Sequence, residues 1–317
     1  TMQSVDVTGL SLFDSSTSGV DVTTTKPLAV ENCIFDGCGT VSLTFNGTNT
    51  ASVSSNEFRS NMTMPLSQYP DDFGDPQSSF PAIRLMGSST GQKAFRANNM
   101  GAGWLRLTGV NNWAIGGDTD ASENIFIGPR VGIMLESGAN HITIRRNYSH
   151  HVYYGGWSQG NNFEMGASDD HVFVEHNIVR DSSWPVRDVA CEFRYNLVLG
   201  AGHQWMWITG DNAYVHHNIF AGGSADVTGI WMIYGPQNVR FWNNTVDGFG
   251  ETAGPSVLFV DAVATADVQS CAFLRNDSPS VIEVDGTLTA VGNNAFHNPG
   301  VPGLKNYSDN RHPATDV

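Results

Sequence analysis

A short phrase, apolar-x-x-Asn followed by one or two apolar residues, recurs about once every two dozen residues and constrains the fold more than anything else in the chain. It reads Val53-Ser54-Ser55-Asn56, Phe95-Arg96-Ala97-Asn98, Ile144-Arg145-Arg146-Asn147, Val174-Glu175-His176-Asn177, Phe193-Arg194-Tyr195-Asn196, Val215-His216-His217-Asn218, Phe241-Trp242-Asn243-Asn244 and Val291-Gly292-Asn293-Asn294. A weaker copy ends at Asn124, preceded by Ala121, and cysteine takes the Asn slot at Cys33 and Cys271. Eleven slots in one chain identify a repeat protein.

The intervals hold short alternating apolar runs broken by Gly, Asn, Ser and Asp, without helical periodicity, so the repeating element is the strand. A second phrase precedes each Asn phrase and ends in Gly, as in Ile83-Arg84-Leu85-Met86-Gly87 and Trp205-Met206-Trp207-Ile208-Thr209-Gly210. Each repeat therefore carries a strand ending in Gly, a strand ending at Asn and a short strand after it. Three short strands per turn without helix is the arithmetic of an all-β, single-domain right-handed parallel β-helix of about 11 coils, with equivalent strands of successive coils about 4.8 Å apart. The Asn is expected to sit at a tight bend, tolerate left-handed backbone angles and join its neighbours in an amide ladder. Cys33 and Cys271 would replace Asn in that ladder near its two ends.

On these repeats the sequence resembles the pectate-lyase-like superfamily of parallel β-helices over roughly residues 10 to 298. The helix is assigned to residues 1–298 and a C-terminal capping tail to 299–317. The resemblance implies a secreted protein, an outer-face polysaccharide groove and calcium as a common cofactor, for which Asp169 and Asp170, with Glu164 and Asp188, are the candidate ligands. No single family within it is matched. Asp169-Asp170 and Gly202-His203-Gln204 echo polygalacturonase motifs, but the Asn-Thr-Asp and Arg-Ile-Lys companions are missing.

A formal charge of -15 with only three lysines, Lys26, Lys93 and Lys305, argues against nucleic acid and anionic membranes as partners. No apolar run approaches the ~20 residues needed to span a bilayer. Cys33, Cys38, Cys191 and Cys271 lack metal-binding spacing, and buried thiols are expected, with a local Cys33–Cys38 bridge as the alternative. A monomer is expected.

The repeat is stretched at 61–80, 148–161 and 247–255, each time after the short strand and before the Gly-ending one, so these insertions should line one edge of the helix. Alternation within the Gly-ending strands names their outward residues: Arg84, Arg106, Met134, Glu164, Arg187, Trp207 and Trp231, with Trp205 replacing Trp207 in the other register. Exposed tryptophans stack on sugar rings and arginine donates in a fork to hydroxyls and carboxylates. Arg84, Arg106, Trp157, Trp205, Trp207, Trp231 and Tyr234 are therefore the candidate substrate-binding residues.

Seven of the ten histidines fall between residues 150 and 217. Elimination on a uronic acid needs a base for the C5 proton, from His150, His151, Tyr153, Tyr154 or His203, and a cation for the carboxylate, from Arg187, Arg106 or Arg84. Inverting hydrolysis needs two carboxyl groups about 6.5–9.5 Å apart, with Glu164 and Asp188 on adjacent coils, or Asp169 and Asp170, as the candidates. A binding protein needs only the Trp and Arg column. The expectation is a polysaccharide lyase acting on an anionic chain, with a glycoside hydrolase and a non-catalytic glycan-binding or tailspike domain as alternatives. His176, His216 and His217 read more simply as solvent-facing residues near a bend.

Overall fold

The structure is a computed structural model that describes residues 5–9, 11–13, 20–36, 41–60, 83–101, 104–127, 131–136, 138–150, 161–165, 171–182, 184–223, 228–249, 256–276, 280–297 and 305–307. The chain falls into two compact units, residues 1–173 and 174–317, and both are wound from the same coil. All of the paired strands are parallel and every third strand in the chain joins the same sheet, which makes the fold a right-handed parallel β-helix.

In the first unit the Asn sheet is built from Val5–Thr8, Leu28–Glu31, Ala51–Ser54, Lys93–Arg96, Asn111–Gly116 and Asn140–Arg145. In the second it includes Glu192–Arg194, Tyr214–His216, Val239–Trp242, Thr265–Gln269 and Thr287–Gly292. A short sheet follows the Asn slots and a Gly sheet completes each coil. The first coil, starting at Val5–Thr8, has Leu10 where the others have Asn or Cys, so the coils outnumber the Asn slots by one. Of the segment expected to cap the helix, Lys305–Tyr307 is a strand paired with Ser280–Val284 in the Gly sheet.

Alternation buries one side of each strand, as in Val41–Phe45, where Val41, Leu43 and Phe45 are inside. Like stacks on like: Phe35 lies parallel to Phe58 at 4.9 Å in the core of the first unit, and buried Phe273 to half-buried Phe296 at 5.4 Å in the second.

The Asn ladder is present in both units. Asn56 donates through Nδ2 to Asn98 Oδ1 at 3.0 Å, Asn98 to Asn124 at 3.1 Å and Asn124 to Asn147 at 2.9 Å. In the second unit Asn177 donates to Asn196 at 2.9 Å, Asn196 to Asn218 at 3.1 Å and Asn218 to Asn244 at 3.0 Å. The second Nδ2 hydrogen reaches back to a carbonyl one coil behind, as from Asn56 to Val30 at 2.9 Å. Each amide thus satisfies buried backbone groups that a bend would orphan. Cys33 and Cys271 enter the ladder as donors: their backbone N–H groups donate to Asn56 Oδ1 and Asn294 Oδ1, each at 2.9 Å. Both thiols are unbridged, and burial pushes that of Cys271 up to about 12. Cys38 lies outside the described residues.

One detail differs from the sequence expectation. The left-handed residue is not the Asn but the one before it: Ser55, Ala97, Arg146, His176, Tyr195, His217, Asn243 and Asn293 have φ between 51 and 57°. The twist turns the Asn side chain inward onto the ladder, at a local cost of about 1–2 kcal/mol per residue.

Lys93 occupies an inward position, in register between Ala51 and Trp113, and is 2% exposed. Its Nζ donates to the carbonyls of Ser89 at 2.7 Å and Gly91 at 2.6 Å and lies 5.9 Å from the Trp113 ring centroid. Burial lowers its pKa from 10.5 to about 8.

Two expectations follow. Asn218→Ala, which orphans the buried groups of the coils on either side, should cost about 3 kcal/mol in thermal or denaturant unfolding. For Lys93, the unfolded chain keeps its proton between pH ~8 and ~10.5 while the folded chain sheds it, so stability rises with pH across that window. The stability difference between the native protein and Lys93→Met should shift by about 3 kcal/mol in favour of the native protein over that range, read from melting temperatures.

Candidate functional site

The Gly sheet of the first unit carries the expected outward column. Ser42, Arg84, Arg106, Met134 and Glu164 are in register on successive strands, and Arg84, Arg106 and Glu164 are all half-buried. The neighbouring row adds a residue the sequence reading passed over. Glu136 accepts from Arg106 Nη2 and, at 2.6 Å, from the Thr108 hydroxyl. Burial raises the Glu136 pKa, but those two hydrogen bonds and the charges of Arg106 and Arg84 outweigh it and hold the carboxyl below its ordinary range. Glu136 follows inward Leu135, so alternation alone marks it as outward. The charge of Arg106 is thereby met within the protein.

His150 lies elsewhere. It ends the short-sheet strand Tyr148–His150, stacked on Tyr148 at 4.7 Å, whereas Glu164 is on the Gly sheet. The flanking strands put the insertions between the short and Gly sheets, as expected. His151, Tyr153, Tyr154, Trp157, Asp169 and Asp170 lie outside the described residues, as do 61–82 and 250–255. Among the described residues no group of three or more His, Cys, Asp or Glu side chains is arranged to hold a metal ion.

The second unit gathers most of the remaining candidates on its Gly sheet. Trp207, Trp231, Phe259 and Glu283 are in register on successive strands, so parallel pairing stacks the aromatic rings into a row. Trp207 meets Trp231 edge-on at 6.1 Å, and Trp231 meets Phe259 at 6.0 Å. At the start of the row Trp184 lies 4.5 Å from Trp207, and His203 stacks flat on Trp184 at 5.2 Å and 7°. The Arg187 guanidinium carbon sits 5.0 Å from the Trp207 ring centroid and 5.7 Å from that of Trp184. A register irregularity between Val186 and Val189 brings Arg187 and Asp188 side by side, with φ 58° at Asp188, and they form an ion pair at 3.4 Å.

Tyr234 extends the row outward. It is 73% exposed, edge-on to Trp207 at 6.5 Å, and holds φ 69° ahead of Gly235 at 76°. A bulky residue held in the left-handed region is strained, which fits a side chain kept for what it touches.

Trp205 is a correction. Trp205 precedes the strand Met206–Ile208, outside its alternation, and unlike Trp207 is wholly buried, packed 4.9 Å from Phe249 and 6.1 Å from Phe220. Gly223 gives it room, since a Cβ there would come within 3.2 Å of the indole. It is a core residue and cannot meet a ligand.

With this geometry in hand, comparison with known proteins bears on the fold. No protein-family model and no curated protein sequence matches the chain. An alginate lyase from Paenibacillus sp. str. FPU-7 superposes with a TM-score of 0.50 and 14% identity, over 92% of this chain and 99% of that one. A tailspike protein of E. coli bacteriophage HK620, solved with a pentasaccharide, gives 0.48 and 13% over 94% of this chain and 57% of that one. At these identities the likeness speaks for the fold alone.

The two tryptophans should separate in experiment. Trp205→Ala should cost about 3–5 kcal/mol of stability. Trp207→Ala should leave the melting temperature within a few degrees while weakening retention on immobilised polysaccharide.

Proposed function

We propose that the chain is a carbohydrate-active β-helix that seats a polysaccharide along the aromatic row of its second unit. The observation that carries this reading is the in-register run Trp207, Trp231 and Phe259, headed by Trp184 and flanked by exposed Tyr234. Partly exposed indoles at the spacing of a sheet offer apolar faces to successive sugar rings, and Arg187, lying against two of them, offers forked donors to a hydroxyl or carboxylate. The alginate lyase named above is compatible with such a ligand.

For the chemistry, β-elimination on a uronic-acid chain is the reading we favour. Arg187 would neutralise the sugar carboxylate and so acidify the C5 proton, and His203, beside the same Trp184 face, would be the base. The pairing of Arg187 with Asp188, and of Arg106 with Glu136, favours a second reading, in which the row binds glycan without cleaving it. Secretion and a monomeric state are part of the same proposal.

The test is product analysis on uronate-containing and neutral polysaccharides. Elimination predicts a new ultraviolet band from a conjugated uronate, hydrolysis predicts reducing ends without it, and retention without products identifies a binding module. Trp231→Ala and Arg187→Ala should each weaken retention about tenfold, the effect of roughly 1.4 kcal/mol. Unchanged retention in both would overturn the assignment.

A further inference from the structure

The outward face of the Asn sheet in the second unit holds a connected set of acid–base groups apart from the aromatic row. Glu192 Oε1 lies 3.1 Å from His216 Nε2, and His216 Nδ1 lies 2.7 Å from His217 Nδ1. Arg194 bonds both Glu192 and Glu175, which holds the Glu192 carboxylate in place as an acceptor. Those contacts fix the tautomers. His216, 6% exposed, donates from Nε2 to Glu192 and so accepts at Nδ1. Burial lowers the His216 pKa, more than its hydrogen bond to Glu192 raises it, so this ring stays neutral. His217 must then carry its proton on Nδ1, leaving the Nε2 lone pair of an exposed imidazole outside the chain of hydrogen bonds.

The surroundings suit a sugar acid. Tyr195, 46% exposed, lies with its ring 5.0 Å from that of His217. Tyr214 stacks on His216 at 3.9 Å. The exposed Arg240 guanidinium lies 5.9 Å from the Tyr214 ring and 5.7 Å from that of Trp242, and it forms no ion pair with a described residue. A planar cation, aromatic faces and an oriented imidazole thus share one patch.

We propose that this patch is a second acid–base centre, in which His217 is the catalytic base and Tyr195 the acid for elimination on a uronic-acid residue docked to Arg240, with His216 and Glu192 as positioning residues. His217 Nε2 would take the C5 proton; that electron pair becomes the C4=C5 double bond; the C4–O4 bond breaks, and the leaving oxygen takes the Tyr195 phenol proton. The histidine then returns its proton to the phenolate through solvent. The substrate class rests on the elimination reading above, while the His216 and His217 tautomers follow from this chain's hydrogen bonds alone.

Two measurements decide the matter. Nitrogen-15 NMR of histidine-labelled protein should show His217 protonated on Nδ1 at neutral pH, and Glu192→Gln should weaken that preference; an ordinary Nε2–H tautomer in the native protein overturns the proposal. On a uronate polymer the native protein cleaves, the turnover that His203→Gln retains should fall at least about a hundredfold when His217→Gln is added, with KM little changed. Tyr195→Phe should behave likewise, and retention through the aromatic row should persist. Absence of turnover in His203→Gln, or turnover there that adding His217→Gln leaves unchanged, overturns the proposal even if Arg187→Ala abolishes binding. If no uronate polymer is cleaved, the elimination reading and this centre's catalytic role both fall.

Discussion

The hydrogen bond from one asparagine amide to the next is the interaction on which the rest of this structure depends. Stacked parallel strands pair their own backbones, but the bends between them leave buried N–H and carbonyl groups without strand partners. One side chain that donates twice and accepts from the preceding coil resolves the bend in both units, from Asn56 to Asn147 and from Asn177 to Asn244. Because the amide must meet its neighbour within about 3 Å, the ladder also sets register. Register in turn decides which residues stack outside: Trp207 over Trp231, and Tyr214 over Arg240.

Much of this was legible in the sequence. The Asn slots gave the fold and the coil count but for the first turn, whose slot holds Leu10. Strict alternation placed Arg84, Arg106, Met134 and Glu164 in one column. Where a residue lies just outside its strand, reading faltered: alternation would set Trp205 and Trp207 on one face, but Trp205 precedes Met206–Ile208, and packing against Phe249 and the space left by Gly223 send its indole inward. The irregular pairing at Arg187 and Asp188 has no sequence marker, because bulges are settled by neighbouring coils.

Electrostatics was the least legible layer. Arginines gathered on one stripe of an acidic protein suggested an anionic partner, yet Arg106 and Arg187 each have a carboxylate beside them, Glu136 and Asp188. A column read one strand at a time overlooks partners in the adjoining row. The same blind spot hid the network of Glu192, His216 and His217, whose members lie close only because two coils pair.

The left-handed residue ahead of the Asn slots, Glu123 before Asn124 excepted, has a consequence for how such a chain can change. Twisting the backbone to send the amide inward swings the preceding side chain away from the core at the same address in each of those coils, and nothing in the core depends on its identity. The slot accepts Ser55, Ala97, Arg146, His176, Tyr195 and His217 alike. Each coil thus offers one position where a functional group can be exchanged without repacking, and a scaffold of repeats becomes a row of sockets in which new chemistry can be assembled one residue at a time.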